Sequence, residues 1–120
     1  MTTFQMTVKD AMQLYAYKRK KGLSMLNTNT IREIITPICK EYNIDRMYLF
    51  GSYARNEARE DSDVDLRVDR GTLTGFAYGG FYGDIQRALG VRTDILTTEQ
   101  LKKPFLDKIQ KEEVLLYEKG

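Results

Sequence analysis

The sequence predicts an α+β protein, and three observations carry that expectation. An apolar stripe runs through Ile31, Ile34, Ile35, Ile38, Cys39 and Tyr42. Farther along, Val64, Leu66 and Val68 alternate with Asp63, Asp65, Arg67 and Asp69, and between the two lies an aromatic-rich run, Met47-Tyr48-Leu49-Phe50, that stops at Gly51-Ser52. The stripe has the period of one helix face, whereas the alternation has the period of two that sends neighbours to opposite faces of a sheet. At 120 residues the chain suits one compact domain with a buried core.

Taken in order, the first element is an amphipathic helix over 7–21, with Val8, Ala11, Met12, Tyr15 and Ala16 at helical spacing. Thr7 and Asp10 resemble a capping box at its start, and Gly22 stops it. Lys18-Arg19-Lys20-Lys21 then falls where a helix C-terminus welcomes positive charge, so a solvated helix end is expected there before a nucleic-acid contact. Residues 23–29 read as a linker, which makes 1–27 an extension to a domain at 28–120. In the isoleucine-striped helix, Thr30 and Glu33 supply a capping box, and Pro37 on the opposite face is expected to kink or divide it. Cys39 sits on the stripe and is expected to pack in the core.

The aromatic strand at 47–50 is followed by a brief helix over 53–59 and by the alternating strand, which Asp61-Ser62 starts. Five of the nine glycines lie between Gly71 and Gly83, interleaved with Phe76, Tyr78, Phe81 and Tyr82. That density predicts a mobile loop leading into a helix at about 83–89. A buried aromatic cluster is the ordinary role for Phe76 and Phe81, with partner docking the alternative. A third strand at 91–97 carries Asp94. Thr97 and Gln100 form a capping box for a helix that Pro104 interrupts or restarts, and 114–117 is a last strand.

Composition narrows the chemistry. Apolar residues at 42% and charged residues at 30% are ordinary for a soluble domain, and no run is long enough to span a membrane. The start is not that of a secretory signal, and a lone cysteine cannot close an internal disulfide, so the cytoplasm is the expected compartment. Histidine is absent, which removes imidazole acid–base catalysis and histidine-ligated zinc. A net charge of +2 gives no reason to expect direct nucleic-acid binding.

Against that background, Asp63 and Asp65 are the pair with chemical promise. Period two puts both carboxylates on one side of a strand, about 6.6–7 Å apart at the backbone, close enough to share metal ions. Two Mg²⁺ ions about 3.5–4 Å apart, held by oxygen ligands, are what nucleotidyl transfer needs to neutralise the attacking and departing oxygens. Asp94, from a neighbouring strand, is the best third acid. At Gly51-Ser52 a strand-to-helix turn without a side chain lets backbone approach phosphate, and Ser52 adds a hydroxyl donor. Solvent exposure alone would also account for Asp63, Asp65 and Asp69, but not for the acids and the Gly-Ser turn together.

The run Leu49-Phe50-Gly51-Ser52-Tyr53-Ala54-Arg55-Asn56-Glu57-Ala58-Arg59-Glu60-Asp61-Ser62-Asp63-Val64-Asp65-Leu66 resembles the signature of the minimal nucleotidyltransferases, the small branch of the DNA polymerase β-like superfamily. More weakly, the resemblance covers about residues 30–118, with Val91-Arg92-Thr93-Asp94-Ile95-Leu96-Thr97 matching the strand that carries the third acid. It implies a small mixed sheet flanked by helices, here with an extra N-terminal helix. It further implies Mg²⁺-dependent transfer of a nucleoside monophosphate from a triphosphate, with Gly51 and Ser52 holding the triphosphate. Asp63 and Asp65 would ligate the metals, while Asp94 would complete one metal site and help deprotonate the acceptor hydroxyl. Arg55 and Arg59 match basic positions and are candidates for phosphate contact, though surface pairs with Glu57 or Glu60 suit them equally. Asn56 replaces a usual glycine and Glu60 a frequent proline; asparagine tolerates positive φ, so the turn is expected to survive.

The family's usual arrangement implies a partner: a HEPN-domain ribonuclease toxin, neutralised when AMP from ATP is attached to its tyrosine. The leading expectation is therefore a protein adenylyltransferase acting as antitoxin, with the 71–83 region and the N-terminal helix as docking surfaces. The alternative is a non-catalytic nucleotide- or protein-binding module that blocks its partner stoichiometrically. Transfer to a small molecule such as an aminoglycoside is disfavoured, since such enzymes usually add a domain for the acceptor.

Overall fold

A computed structural model describes residues 26–120, together with Lys9, Asp10 and Gln13. The rest of the helix expected over 7–21, its basic end and the linker up to residue 25 lie outside the described residues.

The isoleucine stripe is buried along α1 (Thr28–Glu41), which points Ile31, Ile34, Ile35, Ile38 and Cys39 into the core. Burial pushes the Cys39 thiol up, in keeping with a packing role. The cap lies three residues before the expected Thr30, inside the expected linker. Asn27 is the N-cap, and its Oδ1 accepts from the Thr30 backbone N–H at 2.9 Å. Leu26, just ahead of the cap, packs on the core with Ile31 in the second turn, an arrangement that favours the earlier start. Pro37 does not divide the helix, whose five buried side chains outweigh one missing backbone hydrogen bond.

Among the described residues, four strands make one mixed sheet in the order β3-β2-β1-β4. β1 (Arg46–Phe50) runs antiparallel to both β2 (Val64–Asp69) and β4 (Val114–Glu118), and β2 runs parallel to β3 (Thr93–Thr97). A parallel pair needs a crossover, and α3 (Gly75–Leu89) provides it. Met47, Leu49, Val64, Leu66 and Val68 share the sheet face that is buried with α1 and α3.

The mobile loop expected over 71–83 is instead mostly helix. Within α3, Phe81, Ile85, Ala88 and Leu89 fall at i, i+4, i+7 and i+8 and are all buried. Each interior glycine costs roughly 0.5–1 kcal/mol relative to alanine, whereas burying each of Phe81, Ile85 and Leu89 contributes about 1.5–3 kcal/mol, so packing wins. Gly80 also has a positive use: a Cβ there would stand 3.1 Å from the Tyr42 hydroxyl. Tyr42 packs edge-on against Phe81 with centroids 5.5 Å apart, and its hydroxyl donates to Asp84 at 2.6 Å. Of the two phenylalanines expected to cluster, Phe81 is buried and Phe76 is fully exposed.

The remaining expectations need smaller adjustments. The brief helix is the single turn α2 (Gly51–Ala54), placed two residues earlier than expected, and Asn56 takes φ 59°, the left-handed conformation that its side chain tolerates. β2 starts at Val64, leaving Asp63 just ahead of it. The Thr97–Gln100 box closes only a 3₁₀ turn, and Pro104 lies in the first turn of α4 (Lys103–Gln110), which it restarts. Among the described residues, no helix is long and apolar enough to cross a membrane.

Candidate functional site

The strand order sets two of the three sequence-predicted acids, Asp65 and Asp94, side by side, while Asp63 precedes β2. In the parallel β2–β3 ladder Asp65 is the register partner of Asp94, which sets their backbones about 4.8 Å apart with side chains on the same face. On the other side Asp65 is paired with Phe50, the last residue of β1. Gly51 therefore begins directly beside Asp65. At φ 77° and with a would-be Cβ colliding with Asp65 Oδ2, this position admits a side chain only if Asp65 shifts and the backbone takes strain.

The electrostatics follow from that crowding. Burial, then the neighbouring Asp94 and Asp63, push the Asp65 carboxyl up to about 6, against the opposing pull of Arg55. Asp63 leans toward Arg92, with Nε 3.6 Å from Oδ2. Among the described residues, no group of three or more acidic, cysteine or histidine side chains already forms a cation-holding cluster. The donors nevertheless suit a hard divalent ion: the carboxylates of Asp63, Asp65 and Asp94 offer oxygen only, and a cation would relieve the repulsion that raises Asp65.

Ser52 lies next to Gly51 in the same turn, half-buried, and its carbonyl accepts from Glu57 N–H at 2.9 Å. Arg55 caps that turn and is held by two carboxylates. Its Nε donates to Glu57 at 3.1 Å, and Nη1 donates to both oxygens of Glu112 at 3.0 and 3.2 Å. The expected Glu57 pair thus forms for Arg55. Arg59 is tied through its backbone, its N–H donating to Ser62 Oγ at 2.7 Å and its carbonyl accepting from Ser62 N–H at 3.0 Å.

Asp69, the last acid of β2, is used differently. It accepts from Arg46 at 2.8 Å and forms a short hydrogen bond with Thr98 Oγ1, and those donors with Arg67 hold its carboxyl below the usual range against the effect of burial. Arg67, only 4% exposed, is clamped by Glu113 through bonds of 2.6 and 3.0 Å and lies 4.0 Å over the Tyr48 ring. Glu112, Glu113, Arg92 and Thr98 were not singled out from the sequence, because their partners stand on other elements and leave no local spacing to read.

Gly51→Ala is expected to lower stability by about 1–3 kcal/mol, from a left-handed alanine and the collision with Asp65. Thermal melting checks the cause when Gly51→Ala is made both in the wild-type chain and in Asp65→Ala: the loss should be smaller in the second, where the collision is absent. Equal losses would place the strain in the left-handed backbone alone.

Comparison with known proteins gives the family. Residues 33–120 match the family model described as Polymerase beta, Nucleotidyltransferase. The MJ0435 protein of Methanocaldococcus jannaschii, provisionally named a protein adenylyltransferase, is 34% identical over 95 residues, covering 74% of this chain and 97% of that one. Protein adenylyltransferase MntA of Thermococcus cleftensis is 31% identical over 97 residues, covering 77% and 98%. A chain in the structure of a tri-AMPylated Shewanella oneidensis HEPN toxin in complex with MNT antitoxin shares the fold. Its TM-score is 0.58 at 18% identity, over 77% of this chain and 73% of that one.

Proposed function

The chain belongs to the polymerase beta nucleotidyltransferase family, and on that premise we propose that it transfers AMP from ATP to a tyrosine hydroxyl of a HEPN-type ribonuclease, as that toxin's antitoxin. The observation that carries the reading is the Asp65–Asp94 pair facing the side-chain-free bend at Gly51. The names of the relatives support protein adenylylation, and the Shewanella complex supports a HEPN partner.

In this reading Gly51 lets the triphosphate approach the backbone, Ser52 donates its hydroxyl, and Arg55 and Arg59 offset phosphate charge. Asp63, Asp65 and Asp94 would hold two Mg²⁺ ions, which when bound neutralise charge on the attacking and departing oxygens. The acceptor oxygen attacks the α-phosphorus as the bond to the β-phosphate's bridging oxygen breaks and pyrophosphate leaves. Asp94, on the β3 side of the site, takes the hydroxyl proton.

The test is incubation of the chain with labelled ATP, Mg²⁺ and the product of the adjacent reading frame, followed by intact-mass measurement. An AMP-sized gain on the partner, lost on adding a chelator, is the expected result. Protection of cells with no label on the partner would instead make the chain a stoichiometric blocker.

A further inference from the structure

Glu112 stands in the turn between α4 and β4, 61 residues from Gly51 in sequence, yet it reaches the bend. Its Oε1 accepts from the Gly51 N–H at 3.3 Å, and both of its oxygens accept from Arg55 Nη1 at 3.2 and 3.0 Å. These two donors, one amide and one guanidinium, are the groups given to phosphate in the reading above. A carboxylate and a phosphate present the same kind of acceptor to them, so one group can take the other's place. We propose that Glu112 sets the affinity of the site for nucleotide, its carboxylate competing with the triphosphate for the Gly51 amide and Arg55. The inference rests on the nucleotide-binding reading of that bend.

Two properties make the competition effective. Glu112 is anionic beside a polyanionic ligand, so its carboxylate opposes phosphate by charge as well as by occupying donors. It is also one-quarter exposed, at 26% of its side chain, and can swing into solvent without opening the core. A residue that merely holds Arg55 in place would have the opposite signature, because its removal would loosen Arg55 and weaken nucleotide binding.

The experiment compares the wild-type chain with Glu112→Gln and Glu112→Ala in equilibrium binding of ATP and of adenosine. Both variants are expected to bind ATP about three- to tenfold more tightly, since one repulsive charge at close range is removed. Adenosine affinity should be unchanged, and the gain for ATP should shrink as salt is raised. Thermal melting shows that the variants are folded. Wild type that binds ATP with variants that bind it equally or less well overturns the inference alone. Failure of all three chains to bind ATP overturns the nucleotide-binding reading with it.

Discussion

Replacing Asp63 and Asp65 together by asparagine is expected to cut AMP transfer by at least about a thousandfold, since charge neutralisation at the phosphates supplies several kcal/mol. The same change is expected to raise the melting temperature of the metal-free chain at about pH 7.5. The second effect follows from Asp65, whose carboxyl is pushed from 3.8 up to about 6 by burial first and by Asp94 and Asp63 next. An acid whose folded pKa lies above its unfolded value costs the fold nothing when both states are protonated. The penalty grows as pH rises from the unfolded toward the folded pKa and is complete above it. Neutral side chains remove the penalty, worth of order 1 kcal/mol once water's access to the partly exposed carboxyl is allowed for. Melting curves of wild type and variant should therefore converge as pH falls through the range between 6 and 3.8. Transfer within tenfold of wild type would remove these carboxylates from the chemistry, and a variant less stable at neutral pH would contradict the repulsion.

Local patterns made much of this fold legible. The isoleucine stripe of α1, the aromatic β1 ending at Gly51, and the alternation around Val64, Leu66 and Val68 each depend on residues within one element, which periodicity reports. So does the placement of Asp94 on a strand, although its pairing with Asp65 depends on a parallel register that no local pattern encodes. The helix α3 was hidden because glycine propensity speaks against it, while the burial that overrides it comes from α1 and the sheet. Glu112 and Glu113 were hidden for a related reason. Their partners Arg55 and Arg67 lie 57 and 46 residues away, and a pair of glutamates before a strand looks like any exposed turn. The cap at Asn27, where the sequence predicts Thr30, follows a tertiary feature as well, the packing of Leu26 on the core.

The face of the sheet that holds the site is fixed by the buried pair next to it, and Glu113→Ala is expected to cost about 3–5 kcal/mol. Arg67 is almost wholly removed from water, and Glu113 satisfies its Nε and Nη2 with bonds of 3.0 and 2.6 Å. Without Glu113 the guanidinium keeps a hydrogen bond to Thr98 at 2.9 Å and a longer ionic contact with Asp69 at 3.6 Å, which leaves two N–H groups and most of a buried charge uncompensated. For a domain of this size the melting temperature should fall on the order of 20 °C. Arg67→Met with Glu113→Leu removes both charges and is expected to melt close to wild type, because desolvation offsets most of the pair's attraction. A single Glu113→Ala variant that melts within a few degrees of wild type would show that Asp69 and Thr98 suffice for Arg67. The apolar double variant also separates two roles of the pair. Arg67 is two residues from Asp65 on the same face of β2 and ties that strand to the segment bearing Glu112. If the double variant is stable but transfers AMP more slowly, the ion pair holds β2 and the Glu112 turn in register with the bend, and its conservation of geometry matters more than its energy.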